Sequence, residues 1–152
     1  MKFDPNALSF EWRGFAAMAP ALLYDLLQFR QAVFVVEQRS PYPDLDGRDR
    51  DARHLLAWAE GALAGCLRLI PPMEDAAVRI GRVAVGSARR RQGLARAMME
   101  EALRQCREDH PGCPIKLGAQ TYLVPFYRSL GFASVSPSYD DYGVPHIDMV
   151  LG

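Results

Sequence analysis

Lysine is almost missing from this chain: two of its 18 basic residues are lysines, and the rest are arginines. An excess of either charge is missing too. Eighteen basic and 18 acidic residues give a formal net charge of zero over 152 residues, which argues against a general nucleic-acid binder with its basic footprint. Cysteine is sparse. Cys66, Cys106 and Cys113 form no CxxC pair, so neither a disulfide framework nor a zinc knuckle is indicated, and reduced thiols in a cytoplasmic protein are expected. The three histidines, His54, His110 and His146, lie far apart with no HExxH, so no metal site is expected. No apolar run approaches membrane-spanning length. Met1 to Ser9 lacks the basic-then-apolar order of a secretory signal. The nucleotide P-loop GxxxxGK[ST] and the dinucleotide turn GxGxxG are both absent. There is no repeat and no low-complexity linker.

What is present fits one compact domain over residues 1–152 with a sizeable core, at 49% apolar residues. Phe10 to Phe15 alternates apolar and polar residues and predicts a first strand. Pro20 opens a helix running to about Val35. Arg30 falls on its apolar side, beside Leu23, Leu27 and Phe34. A buried arginine needs an acidic partner, and Glu37, Asp46 and Asp49 are candidates. Gln38 to Arg53 reads as a long, charge-dense loop, a class that is often functional. His54–Ala59 and Ala64–Ile70 predict a strand pair around a Glu60-Gly61 turn, and Val78–Val85 a further strand. A helix from Leu94 must stop before Pro111-Gly112. Ile115–Ala119, Phe132–Val135 and His146–Leu151 predict strands, and Val124–Leu130 a short helix capped by Gly131. The order β-α-β-β-β-α-β-α-β-β implies an α+β fold around a mixed sheet.

The densest positive charge sits at one strand-to-helix junction, "VAVGSARRRQGLARAMMEEAL", Val83 to Leu103. The first turn of a helix has N–H groups without internal partners, and the helix dipole adds to their pull on an anion. Gly93 lets a ligand approach the backbone closely, and arginines supply paired donors for phosphate oxygens. The segment is built to grip a phosphate or pyrophosphate.

Arg90-Arg91-Gln92-Gly93-Leu94-Ala95 resembles the [QR]xxGx[GA] signature of the GNAT superfamily of N-acetyltransferases. It follows a strand, "RIGRVAV", and opens an amphipathic helix, as that family requires. "VPFYRSLGF", Val124 to Phe132, resembles the same family's second signature, a tyrosine shortly before Gly-Phe. "RQAVFVVEQRSPYPDLDGRD", "LGAQTYLVPFYRSLGF" and "YGVPHIDM" resemble the ElaA-like subgroup over nearly the whole chain after Leu22. The resemblance implies the acyl-CoA N-acyltransferase fold, a mixed, mostly antiparallel sheet with helices on both faces. It implies acetyl-CoA as cosubstrate and no metal.

The resemblance also implies roles for residues. Backbone amides of Arg91, Gln92, Gly93, Leu94, Ala95 and Arg96 would hold the coenzyme A pyrophosphate. Arg89, Arg90 and Arg96 would add charge. The strand end Val83-Ala84-Val85 would pair with the pantetheine arm and offer an oxyanion donor. Phe126 and Tyr127 would line the thioester end, with Tyr127 as general acid. One departure is Gly86, where many family members have proline. Glu37 is a candidate base if the apolar "VFVV" before it buries it partly, its other role being a partner for Arg30. His54 is a second candidate base, with a structural hydrogen bond as its other role, and His146 stands on the same footing. Asp44, Asp46, Asp49 and Asp51 would form an acidic mouth for a cationic amine, or a solvated loop interleaved with arginines. Asp46 and Asp49 match the subgroup's "DGxD".

The expected activity is transfer of the acetyl group of acetyl-CoA to a primary amine of a small molecule or peptide. A non-catalytic acyl-CoA sensor and an acyl-homoserine-lactone synthase are the alternatives. The Gln-Gly turn suits coenzyme A and disfavours the latter. Neither nucleic acid nor membrane is expected as a partner. Exposed sheet edges are compatible with a homodimer.

Overall fold

The computed structural model describes residues 8–152; most of the Met1–Ser9 segment read for a signal lies outside them. Its elements, in chain order, are β1 (Leu8–Gly14), α1 (Pro20–Gln31), β2 (Arg53–Ala59), β3 (Ala62–Ile70), β4 (Val78–Val85), α2 (Leu94–Asp109), β5 (Ile115–Gln120), α3 (Val124–Ser129), β6 (Ala133–Ser134), β7 (Tyr139–Asp141) and β8 (Val144–Leu151). The strands form one sheet in the order β1-β2-β3-β4-β5-β8-β6, with β7 also paired to β8. Only β4 and β5 run parallel; every other neighbouring pair is antiparallel.

Strand β2, "RHLLAWA", reads as an apolar run because both faces of the sheet are covered. Leu55 and Ala57 face α2 and join Met98, Met99, Ala102 and Leu103 in the larger core. Leu56 faces the other way, packing with Leu26 and Val33 from the α1 side, Cys66 and Ala84. Burying one such side chain stabilises the fold by about 1.5–3 kcal/mol. Gly65 lets α2 come close: a Cβ there would stand 2.9 Å from the Met98 sulfur. The trailing part of the expected first helix differs from expectation. Regular α-helix ends at Gln31, and Ala32–Glu37 continues as a π-helical turn. The β-branched Val33, Val35 and Val36 crowd the preceding turn and favour that widening.

Two hairpins use two-residue turns with positive φ at both positions, the geometry that matches strand twist. The Glu60-Gly61 turn was expected from sequence; the Tyr142-Gly143 turn joins β7 and β8. Strand β7 itself was not anticipated, because "SPSYDD" carries proline and adjacent acids that depress strand propensity.

Beneath the long loop lies a network of three arginines and three aspartates. Arg30 bonds Asp44 at 3.0 Å and Asp49 at 2.6 Å. Arg68 bonds Asp49 at 3.1 Å and pairs with Asp46. Arg82 stands 2.8 Å from Asp44 and 3.3 Å from Asp46. Arg30 is 1% exposed and Arg68 4%, so both charges depend on these partners. Arg30 therefore takes Asp44 and Asp49, not Glu37 or Asp46. Burial pushes the Asp49 carboxyl up, but hydrogen bonds and charge from Arg30 and Arg68 outweigh it and hold it below the usual range. Of the expected acidic mouth, Asp44 and Asp49 are thus turned inward, Asp46 is paired but exposed, and Asp51 stays free of this network.

Asp49→Asn removes a charge that two buried guanidiniums share, and should cost about 3–5 kcal/mol in urea unfolding at neutral pH. The native carboxyl is depressed relative to its unfolded value of 3.8, so its contribution is complete above that value and is lost below it, as pH falls through the lower folded value. The variant should show a flatter loss of stability on acidification than the parent. Equal slopes would place the acid sensitivity elsewhere.

Candidate functional site

Parallel pairing of β4 and β5 covers only Val78↔Ile115 and Arg79↔Lys116. Beyond that the strands part, and β4 has no partner strand on that side. Across β4's other edge, Cys66 pairs with Ala84 and Arg68 with Gly81, so Arg82 and Val83 together oppose the single residue Leu67. This is a β-bulge. Its first residue, Arg82, has φ 51°, a conformation that costs a residue with a side chain. The Asp44 and Asp46 contacts and the Tyr42 ring, 4.8 Å from the guanidinium, hold Arg82 in place.

The parting strands open a cleft of about 210 Å³. Its walls are β4 residues Ile80 to Val83, β5 residues Leu117, Gly118 and Gln120, Tyr127 from α3, Phe34, Gln38 and Tyr42 from above, and Tyr139, Asp141, Val144 and His146 from the β7–β8 hairpin. A larger hollow of about 410 Å³ lies beside the start of β4, among Arg48, Asp51, Pro71, Glu74 and Arg79. Asp46 and Gly47 of the DGxD stretch reach it, but no residue of the glycine turn or of Val124 to Phe132 does, and Arg48–Glu74 and Arg79–Asp75 ion pairs border it.

An eight-residue connection, 86–93, leads from the end of β4 to α2. Gly93 is its N-cap at φ 85°, no side chain caps it, and no acid occupies its first turn. The Gly93 carbonyl receives the Ala97 N–H, which leaves the amides of Leu94, Ala95 and Arg96 ahead of the helical bonding pattern. Arg91 also has positive φ, 61°. A Cβ at Gly93 would meet nothing within 4 Å. The protein itself does not occupy that space, so glycine is demanded there by backbone conformation, and the room lies open to a ligand.

The arginines around this turn are less free than their sequence suggests. Arg89 pairs with Glu60 at 3.5 Å. Arg90 pairs with Glu37 at 2.6 Å and donates to the Val85 carbonyl at 3.1 Å. Arg96 bonds Ser129 and lies over the Phe126 ring, 5.5 Å from its centroid. The unmet donors of the turn are chiefly backbone. Gly86 has φ −60° and ψ 144°, angles that proline also adopts, and its N–H bonds Ala64 at 2.9 Å. Its glycine therefore gains an anchor that proline would lack.

Tyr127 is 6% exposed, and lies edge-on to both Phe126 and Phe132. Burial, with a small contribution from Tyr122, pushes its phenol up to about 12, so it stays protonated at neutral pH. The two candidate bases lie elsewhere. Glu37 is exposed, not partly buried, and bound to Arg90. His54 is 1% exposed on β2, its Nε2 3.0 Å from the Asp49 carbonyl, and burial lowers its pKa. Neither lines the cleft. His146 does, a position that its sequence context alone did not separate from a structural histidine. The buried thiols of Cys66 and Cys106 are pushed up by burial, to about 12 and about 11, which makes them poor nucleophiles. Trp12 and Trp58 are sheet residues bonded to Glu101 and Glu11.

The acetyltransferase (GNAT) domain family matches residues 24–152. The ElaA protein of Escherichia coli K12 is 41% identical over 144 residues, spanning 91% of this chain and 94% of its own length. The chain belongs to the GNAT acetyltransferase family. Two solved structures agree. An acyl-CoA N-acyltransferase from Pseudomonas aeruginosa is 40% identical with a TM-score of 0.91, covering 95% of this chain and 99% of its own. Escherichia coli ElaA superposes with a TM-score of 0.90 at 38% identity over the same shares. The likeness to a CoA-dependent acyl-homoserine lactone synthase, BjaI, is 17% identical with a TM-score of 0.77, over 94% of this chain and 82% of that one; it shows the fold alone. GNAT enzymes are acyl-CoA-dependent acyltransferases that act on amine-bearing acceptors. Among the described residues no group of His, Cys, Asp or Glu could hold a metal ion, and no helix is long and apolar enough to cross a membrane.

Gly93→Ala places a methyl in open space, so its cost comes from φ alone. A loss of about 1–2 kcal/mol in denaturant unfolding is expected. A far larger loss would mean that the turn is packed against something.

Proposed function

We propose that this GNAT protein transfers the acetyl group of acetyl-CoA directly to a primary amine. The observation that carries the reading is one juxtaposition. A protonated, buried phenol lines the cleft between the parted strands, while the open N-terminus of α2 stands at the end of the same strand.

On this reading the amides from Arg91 to Arg96 hold the pyrophosphate. The free edge of β4 at Val83, Ala84 and Val85 pairs with the pantetheine amides like an added strand. That lays the thioester beside Phe126 and Tyr127. The amine lone pair attacks the carbonyl carbon, and a strand N–H near Val83–Val85 stabilises the oxyanion. The nitrogen, cationic after attack, gives up a proton to solvent, the C–S bond breaks with its electron pair going to sulfur, and Tyr127 donates its proton to the thiolate. Solvent reprotonates the phenolate. A phenol held neutral by burial is a competent donor to a thiolate formed beside it. No enzyme nucleophile is needed, in keeping with the shielded cysteines.

Tyr127→Phe should lower turnover at least about 100-fold in a thiol-release assay with acetyl-CoA and primary amines, with acetyl-CoA affinity near that of the parent. Equal activity would remove the acid role.

Gly93→Glu should weaken acetyl-CoA binding about tenfold or more by steric block and charge repulsion, read by calorimetry. Unchanged affinity would contradict the phosphate turn. Stabilisation by acetyl-CoA without thiol release from any amine would instead mark an acyl-CoA sensor.

A further inference from the structure

A deprotonated amine must reach the thioester, yet aliphatic amines arrive as ammonium ions, with reference pKa values of about 10.4. The cleft wall farthest from α2 supplies both things such an acceptor needs. His146 Nδ1 lies 2.8 Å from the Val144 carbonyl. A carbonyl only accepts, so Nδ1 carries a proton, which leaves Nε2 as the nitrogen able to exchange one with a ligand. That Nε2 stands 3.9 Å from Asp141 Oδ2, too far for a hydrogen bond between them. The two groups thus flank a gap in the cleft wall. Both are partly buried, with side chains 15% and 31% exposed.

The surroundings fix the pair. The Tyr139 ring stacks on His146, centroids 6.1 Å apart at 25°, and its hydroxyl donates to Asp148 at 2.6 Å. Gly118, on the neighbouring strand, leaves room for that: a Cβ would meet the Tyr139 hydroxyl at 3.2 Å. Ser40 bonds the Tyr142 carbonyl at 2.9 Å, tying the hairpin turn to the long loop. The titratable and charged groups lining the same cleft are Asp141 and Tyr139 on β7, Tyr127 on α3, Tyr42 in the loop and Arg82 on β4. Arg82 is neutralised by Asp44 and Asp46, and Asp148, on the histidine's own strand, is taken by Tyr139. Asp141 is therefore the acid of this cleft left to meet a cation. The remaining walls mix apolar Phe34, Leu117 and Leu123 with the side-chain amides of Gln38 and Gln120.

We infer that Asp141 and His146 form the acceptor subsite, taking a primary ammonium. Asp141 binds the ammonium, and His146 Nε2 removes its proton before attack. The inference rests on the amine-acetylation reading above. The proton moves from nitrogen to Nε2, the freed lone pair attacks the thioester, and the imidazolium returns its proton to solvent.

The test uses the full chain with acetyl-CoA and phenethylamine. His146→Asn keeps an N–H for the Val144 carbonyl but has no base. It should lower kcat about 100-fold near pH 7, with acetyl-CoA affinity unchanged. The deficit should shrink as pH rises towards about 10, where the amine deprotonates itself. A merely structural histidine would give a deficit independent of pH. Asp141→Asn should raise KM for phenethylamine about tenfold with a smaller change in kcat. Should His146→Asn fold poorly by circular dichroism, His146→Gln gives the same readout. Parental turnover of phenethylamine matched by both histidine variants, or a deficit constant with pH, overturns the base. Unchanged KM in Asp141→Asn overturns the ammonium site. Failure of the parent on every amine, while it still binds acetyl-CoA, would sink the acetylation reading itself and this one with it.

Discussion

The molecule depends on a pairing that stops short. After Arg79 and Lys116 the parallel strands β4 and β5 separate, and the sheet gives up backbone hydrogen bonds it could have made. Unpaired strand edges are costly when buried and hazardous when exposed. On the proposed reading they persist because the gap is a cleft that a strand-like ligand fills. The crossover from β4 to β5 is helix α2, and a parallel crossover places that helix's N-terminus at the carboxyl end of the preceding strand, where ligands of open sheets gather. One topological choice thus yields both a free strand edge and a set of unmet helix amides.

The buried arginine–aspartate network serves that gap. An apolar cluster of similar volume would stabilise the core as well or better, but it could not direct Arg82. The bulge at Arg82 and Val83 bends β4 at the point of separation, and its positive φ works against the residue that adopts it. Asp44 is shared between Arg30 and Arg82, and Asp46 between Arg68 and Arg82. The long loop, α1, β3 and the bulge are therefore held by one set of charges. This gives a physical reason for a 15-residue charged loop, residues 38–52, to fold inward: Asp44, Asp46 and Asp49 are demanded by arginines that the helix and sheet have already buried.

Much of this was legible before any coordinates. Apolar periodicity located β2, β3, β4, α2, β5 and β8 within a few residues, because each buries a face against a neighbour. The glycine turn was legible because φ 85° at Gly93 leaves few residue choices. What the sequence withheld were pairings across space. Arg30 announced that it needed an acid, but not that Asp44 would answer while Glu37 went to Arg90. Nor could local sequence separate His54 from His146, since one is sealed by a carbonyl from the loop and the other opens onto a cleft built by β7. That strand is recruited by a hairpin turn whose only local sign is Tyr142-Gly143, beside a segment that otherwise reads as loop.

A chain with no net charge still needs two opposite local fields if it is to hold an anionic cosubstrate and a cationic acceptor at once. Here the fields are made differently. On the proposed reading, Arg89 and Arg90 at the α2 end are paired with Glu60 and Glu37, and the pull on phosphate comes from oriented amides, which cost no side-chain entropy and cannot be titrated, together with Arg91 and Arg96, which pair with no acid among the described residues. At the hairpin end the proposed field comes from Asp141. Tyr127 lines the same cleft; the proposed acid role needs it uncharged, and burial rather than a charge partner keeps it so. A strongly basic protein could grip coenzyme A more tightly, but it would repel the ammonium that has to arrive beside it. Balanced composition with local separation of charge is what a transfer between oppositely charged partners requires.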